Sequence, residues 1–160
     1  MMFNQATDYA FRIILMLAKY PLGTRVEALE ISETECIPER YLFKVMRKLS
    51  KAGIIKSYRG THGGFALARL PETVTLLDVV EAIEGPVYLN VCFKNANQCN
   101  RRAVGACAVH QELAKLRHDI YNRLNAINFK ELLDKEQTMK GCDLPFVREN
   151  EIVINREKCN

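Results

Sequence analysis

The sequence lacks an apolar run long enough to cross a membrane. The apolar stretch from Ala10 to Ala18 is interrupted by Arg12, whereas a spanning helix needs about 20 apolar residues. No basic leader precedes this stretch and no small-residue cleavage site follows it, so it does not look like a signal peptide. We therefore expect a cytoplasmic protein. In that compartment clustered cysteines more often indicate metal or redox chemistry than disulfides.

A strong charge of one sign is also absent. The chain has 23 basic and 19 acidic residues and a formal net charge of +4, so only the distribution of charge can indicate a nucleic-acid partner. No nucleophile elbow, phosphate-binding loop or pair of catalytic carboxylates is present, and the sequence therefore predicts no enzyme. A length of 160 residues with 48% hydrophobic content allows one small domain plus an oligomerisation element.

The N-terminal third of the chain predicts three helices. Thr7 is a candidate N-cap for a largely apolar first helix. A short second helix is expected over about residues 26–34, with Leu29 and Ile31 as core contacts. Pro38 then opens a third helix, at the position where a missing N–H costs nothing.

The third helix has an apolar face and a basic face at the 3.6-residue period. A charged stripe is usually only a solvated surface. Here a short helix and a tight turn precede the stripe, which is the layout of a helix-turn-helix whose second helix reads DNA. The apolar face holds Leu42, Val45, Met46 and Leu49, and the basic face holds Arg40, Lys44, Arg47 and Lys51.

A glycine-rich basic hairpin follows immediately. Residues 54–58 and 65–69 can pair as two strands around the loop at residues 59–64. Its glycines permit a tight turn and a close approach to a phosphate chain. A basic helix followed by such a hairpin predicts a winged helix. The hairpin's polar side chains include Lys56, Arg59, His62 and Arg69.

The second half of the chain predicts three more helices. The pattern Thr75-x-x-Asp78 opens a helix that ends before Gly85. A long helix over about residues 108–126 carries apolar residues at nearly heptad spacing. They could pack on the chain's own core, but we favour dimerisation, because two-fold DNA sites require two copies. Asn128 can cap a last short helix. The spaced apolar residues are Val109, Leu113, Leu116, Ile120, Leu124 and Ile127.

Three of the six cysteines lie in one polar loop. Cys92, Cys99 and Cys107 are separated by six and then seven residues. A short segment of thiols, small residues and cations cannot bury a core, but it can wrap an iron–sulfur cluster, which binds thiolates and accepts nitrogen or oxygen in one position. Zinc sites typically show close cysteine pairs, which are absent here. A bare thiol switch is the other alternative.

Together these segments resemble the Rrf2 family of bacterial winged-helix regulators over about residues 1–134. The resemblance implies a homodimeric transcription factor, which we expect to be a repressor, that reads a palindromic operator. In many members three loop cysteines hold a 4Fe–4S or 2Fe–2S cluster. The gaps here are longer than family loops usually show, and some members lack the cysteines. The matching strings are Thr7-Asp8-Tyr9-Ala10, Ile37-Pro38-Glu39-Arg40-Tyr41-Leu42, Leu49-Ser50-Lys51-Ala52-Gly53-Ile54, the wing loop at residues 59–64 and the three-cysteine loop.

The resemblance also implies a fourth cluster ligand. The string that contains Asp8 is similar to the start of nitric-oxide-sensing members, in which the aspartate comes from the partner subunit. His110 follows Cys107 by three residues, a spacing that members sensing iron–sulfur status use. We expect Asp8 of the partner subunit, with His110 as the alternative. Without a cluster, Asp8 would only complement the helix dipole and His110 would be a solvated first-turn residue.

The expected DNA contacts divide into two groups. Phosphate contacts give affinity and salt dependence, whereas base contacts give sequence specificity. A small iron–sulfur electron carrier is the alternative from another class, but it needs no basic helix and wing. A cluster-free regulator that responds through thiols or an effector is another alternative. The expected phosphate contacts are Lys44, Lys51, Arg59 and His62, and the expected base contacts are Glu39, Arg40 and Tyr41.

The sequence therefore predicts a mainly α protein with a small two-stranded β wing, in which a winged helix-turn-helix is joined to a long dimerisation helix. Residues 1–86 are expected to form the DNA-binding domain, and residues 87–107 the cysteine-rich cluster-binding loop. Residues 108–137 would form the dimerisation helix and a short C-terminal helix, and residues 138–160 a tail.

Overall fold

The structure, a computed structural model, describes residues 3–60, 63–101 and 104–139. These ranges confirm the mainly helical fold with a two-stranded antiparallel sheet. Short 3-10 turns occur at Pro71–Thr73, Ala96–Gln98 and Val104–Ala106. In chain order the elements are α1 (Gln5–Leu17), α2 (Ala28–Thr34), α3 (Glu39–Lys51), β1 (Ile55–Tyr58), β2 (Gly64–Leu67), α4 (Leu76–Glu84), α5 (Val91–Lys94), α6 (Ala108–Asn125) and α7 (Phe129–Thr138).

Helix α1 begins one turn earlier than the sequence indicated. Its N-cap is Asn4, whose side-chain oxygen accepts a hydrogen bond from the Thr7 backbone N–H at 3.0 Å. The prediction that Thr7 is the cap is therefore wrong. Thr7 lies inside the helix with 0% exposure, and its hydroxyl donates to Glu84 Oε1 at 2.5 Å. Thr7 thus ties the start of α1 to the end of α4.

Helices α2 and α3 form the helix-turn-helix. The predicted apolar face of α3 is confirmed, because its four side chains are at most 1% exposed. In α2 only one of the two expected core contacts is correct: Ile31 is fully buried, but Leu29 is 54% exposed. A helix of seven residues has room for only a narrow buried face, and Leu29 lies outside it.

Strands β1 and β2 form the wing, and a third segment extends it. Val26 pairs with Phe65 through two backbone hydrogen bonds of 2.9 and 2.8 Å. A Cβ atom on Gly64 would lie 2.5 Å from the Val26 carbonyl oxygen, so the close approach of the two backbones requires glycine there. The wing is therefore attached to the segment that directly precedes α2.

Helix α4 is the central element behind the DNA-binding part, where it contacts both α1 and α3. Its predicted capping box is confirmed, since Thr75 and Asp78 exchange both hydrogen bonds. Helix α7, capped by Asn128 as predicted, returns the chain to this core through the fully buried Phe129. No helix of the described ranges is long and apolar enough to span a bilayer.

Helix α6 packs on α4 with one side and buries no residue completely. Two of the apolar residues predicted to lie in its seam, Val109 and Leu116, are 64% and 49% exposed. The other four are half-buried. The described residues of a single chain therefore cover the apolar stripe of this helix only in part.

Candidate DNA-binding face and cysteine loop

The basic face of α3 points away from the core. Arg40, Lys44, Arg47 and Lys51 are all exposed, as is Glu39 in the first turn. Tyr41 is held between two neighbours: the Arg40 guanidinium lies 4.8 Å from the centroid of its ring, and the ring of Tyr9 in α1 lies 6.3 Å away. The base-contact candidates are thus at the exposed start of the second helix of the motif, which is the part that reads base edges.

An exposed aromatic residue lies beside this basic face. Phe43 is 51% exposed, and its ring centroid lies 6.3 Å from that of Phe65 in β2. Sequence reasoning missed Phe43, although its position between the two faces of α3 was readable from the helical period. A cavity of about 350 Å³ separates α3 from the wing, and its lining residues are Phe43, Met46, Arg47, Ser50, Lys51, Ser57 and Phe65.

A further cation, which the sequence did not single out, lies against the wing. The Arg25 guanidinium lies 4.1 Å from the centroid of the Tyr58 ring. Tyr58 directly precedes the exposed Arg59. Residues 25 and 58 are distant in sequence, and the pairing of Val26 with Phe65 brings their segments together. The predicted contact His62 lies outside the described residues.

Lys48 differs from the other lysines of α3. Its ammonium group donates to the Ile83 carbonyl oxygen at 2.5 Å. The side chain therefore turns toward the last turn of α4 and away from the basic face. A helical period alone does not reveal this contact, because the acceptor lies 35 residues further along the chain.

The cysteine loop consists of short turns that hold its thiols half-buried. Cys92 lies in α5, Cys99 follows a 3-10 turn, and Cys107 is the residue before α6. The structure brings Cys92 and His110 together, with 3.3 Å between Sγ and Nδ1. The His110 ring also stacks on Phe93 with a centroid distance of 4.3 Å.

The donor atoms fit an iron–sulfur cluster in kind. Such a cluster is held by thiolates and can accept an imidazole or an oxygen ligand, and the loop supplies three thiols and the histidine. In the ranges that the structure describes, no three side chains of the His, Cys, Asp or Glu type are gathered around one point. The assembled pair is therefore Cys92 with His110.

Asp8 lies elsewhere, in the first turn of α1. Its side chain is 61% exposed and forms an ion pair of 3.6 Å with Arg12. Arg12 also pairs with Glu35 at 3.2 Å. Within one chain, the described residues do not gather Asp8 with the loop cysteines into a metal-binding group.

These features define the class of protein as a winged helix-turn-helix regulator that binds DNA, because an exposed basic second helix is followed by a glycine-dependent wing. The family model described as an iron-dependent transcriptional regulator, Rrf2, matches residues 3–135. The chain therefore belongs to the Rrf2 family of transcriptional regulators.

Similar proteins cover most of the chain. A protein of Aquifex aeolicus (strain VF5) that carries the name of an HTH-type transcriptional regulator is 30% identical over 137 residues, which are 86% of this chain and 94% of that protein. The solved structure of T. potens IscR has a TM-score of 0.69 at 22% identity and covers 90% of this chain and 94% of its own. The global cysteine regulator CymR of B. subtilis has a TM-score of 0.63 at 22% identity, with 84% and 98% covered. At this identity the two structures show the fold alone.

Proposed function

We propose that this regulator is a cytoplasmic homodimeric repressor that senses nitric oxide, redox conditions or iron–sulfur status through a labile cluster held by Cys92, Cys99 and Cys107. The observation that carries the proposal is the concentration of three half-buried thiols in one loop, with Cys92 already against the His110 imidazole at 3.3 Å. When bound, the cluster would supply a centre that reacts with nitric oxide or oxidants.

The fourth ligand has two candidates. We propose Asp8 of the partner subunit, and the exposure of the Asp8 side chain, 61%, leaves it accessible to a second chain. His110 is the alternative, which the contact with Cys92 supports. Either ligand would bind iron more weakly than a fourth thiolate would, and this suits a cluster that must be lost to give a signal.

The exposure of residues on α3 supports the proposed DNA contacts of that helix. Glu39, Arg40 and Tyr41 would contact base edges from the start of α3, and Lys44 and Lys51 would contact phosphates beside them. The wing would add further phosphate contacts through Arg59 and His62. The operator would be palindromic, because a two-fold dimer presents two copies of this surface.

Substitution of the cysteines tests the cluster. Cys92→Ser, Cys99→Ser and Cys107→Ser should each lose most of the bound iron after anaerobic purification, because a hydroxyl is a poor replacement for a thiolate. Asn100→Ser, an exposed change in the same loop, should retain the bound iron.

Asp8→Ala and His110→Ala distinguish the two candidates for the fourth ligand, since the variant that lacks the true ligand should lose its cluster faster in air. Cysteine variants with wild-type iron content would contradict the ligand assignment.

A cluster-free regulator is the second candidate. It is favoured by the absence, among the described residues, of three potential ligands gathered around one point. In that case the loop would respond through its thiols or a bound effector. Operator binding that changes on thiol oxidation, in protein free of iron, would support this alternative.

A further inference from the structure

Arg117 joins helix α6 to the segment between α4 and the cysteine loop. Its Nε donates to the Val87 carbonyl oxygen at 2.7 Å. Its guanidinium carbon lies 5.4 Å from the ring centroid of Tyr88 and 5.8 Å from that of Phe93. Because a planar guanidinium can donate to a carbonyl while its face lies over aromatic rings, this arginine has a more defined position than a solvated one.

On one side, these contacts lead to the cysteine loop. Phe93 lies under Arg117 and also stacks on His110 at 4.3 Å. His110 in turn contacts the Cys92 sulfur at 3.3 Å. A change in the position of Cys92 or His110 therefore alters the surface on which Arg117 rests.

On the other side, these contacts lead to the last turn of α4, which contacts both α1 and the recognition helix α3. Lys48 of α3 donates to the Ile83 carbonyl oxygen. In α1, the Thr7 hydroxyl donates to Glu84 Oε1 at 2.5 Å, and the backbone N–H of its cap residue Asn4 donates to the same atom at 3.0 Å. Val87, whose carbonyl oxygen accepts from Arg117, lies three residues after Glu84, the last residue of α4. The end of α4 thus lies between the cysteine loop and the recognition helix.

A second contact holds α6 to α4 one turn along. The Tyr121 hydroxyl donates to Glu81 on the exposed side of α4. This contact fixes the two helices side by side but reaches neither the cysteine loop nor α3. The Arg117 side chain, in contrast, touches both the loop, at Phe93, and the segment that follows α4, at Val87.

We propose that Arg117 is a positioning residue that transmits the state of the cysteine loop to the recognition helix through the end of α4. The inference rests on the proposed function, because it requires a loop that changes state. With Arg117 docked, residues 83–88 are fixed and Lys48 keeps α3 in place. When Phe93 moves, Arg117 loses one of its two aromatic contacts, and the population shifts toward dimers in which α3 is held less firmly.

The test compares Arg117→Ala and Arg117→Lys with Arg123→Ala, an exposed arginine on the same helix. Operator affinity is measured for the cluster-loaded form and again after nitric oxide or chelation has removed the iron. In wild type and in Arg123→Ala, removal of the iron should change operator affinity by about tenfold or more, the usual size of allosteric coupling. In both Arg117 variants the same treatment should change operator affinity by less than about twofold, while iron content and absorption spectrum stay as in wild type. The lysine variant should fail because it keeps the charge but lacks the planar group that contacts Val87 and the rings.

A second readout does not depend on operator binding. In the cluster-loaded protein, amide hydrogen exchange over residues 83–88 should be about tenfold faster in Arg117→Ala than in wild type or Arg123→Ala. Unchanged exchange there, or an Arg117→Ala variant that responds to iron removal as wild type does, would overturn the role of Arg117 alone. A wild type that holds iron but never changes its operator affinity would overturn the proposed sensing function and this role together.

Discussion

At the scale of single residues, the attachment of the wing depends on a position that only glycine can fill. Gly64 has φ +153° and approaches the Val26 carbonyl so closely that an added Cβ would lie 2.5 Å from its oxygen. Backbone atoms cannot move aside as the end of a flexible side chain can. The sequence predicted a glycine-rich hairpin, but it could not show which glycine faces another backbone, because Val26 lies 38 residues away.

Gly64→Ala should therefore destabilise the protein. We expect the free energy of unfolding to fall by about 2–4 kcal/mol, the combined effect of an unfavourable φ and a backbone clash. Urea denaturation followed by circular dichroism measures it. Gly105→Ala is the matched control, since nothing lies within 4 Å of its added Cβ, and it should change stability by less than about 0.5 kcal/mol. Equal losses in the two variants would show that the close approach at Val26 is not what matters.

Burial distinguishes two phenylalanines that look alike in sequence. Phe129 is 0% exposed where α7 meets the core, whereas Phe43 is 51% exposed beside the basic face. Phe129→Ala should lower the free energy of unfolding by about 3–5 kcal/mol, because it leaves a cavity. Phe43→Ala should cost about 1 kcal/mol or less. Chemical denaturation of both variants checks the contrast, and a larger loss at Phe43 would contradict the burial of Phe129.

At the scale of elements, periodicity predicted the interior of each long helix but not its contacts with distant segments. The apolar face of α3 followed from its 3.6-residue repeat, because burying one stripe is what holds such a helix in place. The cap of α1 was placed a turn too late, since Asn4 and Thr7 are both suitable cap residues and only the fold selects between them. The destination of Lys48 was not predictable, because its acceptor belongs to a separate helix.

Two of the three lysines of α3, Lys48 and Lys51, should differ in the salt dependence of operator binding. Lys51 is exposed on the basic face, while Lys48 donates to Ile83. Lys51→Gln should reduce the slope of log K against log salt concentration by about 0.9, the contribution of one phosphate contact. Lys48→Gln should leave the slope unchanged, even where it lowers affinity. Fluorescence anisotropy titrations at several salt concentrations measure both slopes, and a smaller slope for Lys48→Gln would place that residue on the DNA.

At the scale of the whole molecule, the described residues of a single chain leave the seam of α6 only partly covered. Leu116 is 49% exposed on a helix that buries no residue completely. The near-heptad spacing of that seam was visible in the sequence. The sequence could not predict the exposure of this seam, because the same spacing also suits a helix that packs on the chain's own core.

The dimer proposal predicts that a charge in this seam separates the subunits. Leu116→Glu should convert the dimer to a monomer at micromolar concentration, because it would place a carboxylate in an apolar interface without a partner. Asn122→Glu adds the same charge to an exposed position of α6 away from the seam and should leave the dimer intact. Analytical ultracentrifugation distinguishes the two. A Leu116→Glu protein that remains dimeric would place the interface elsewhere.

The cysteine loop could be recognised in the sequence from its concentration of thiols, but the contacts within it could not be predicted. The residue types alone indicated metal or redox chemistry. The stacking of Phe93 on His110 and the hydrogen bond from Arg117 to Val87 depend on how α5 and α6 lie against the end of α4. Such contacts join α6 to short segments that have no periodicity, so no repeat in the sequence predicts them.

The most direct measurement is the iron, sulfide and zinc content of anaerobically purified protein, followed by operator titration before and after the iron is removed. The account predicts brown protein that contains iron and acid-labile sulfide with little zinc, and an affinity that changes by about tenfold or more on iron loss. Colourless protein that contains no iron, and whose operator affinity is the same before and after that treatment, would contradict the account.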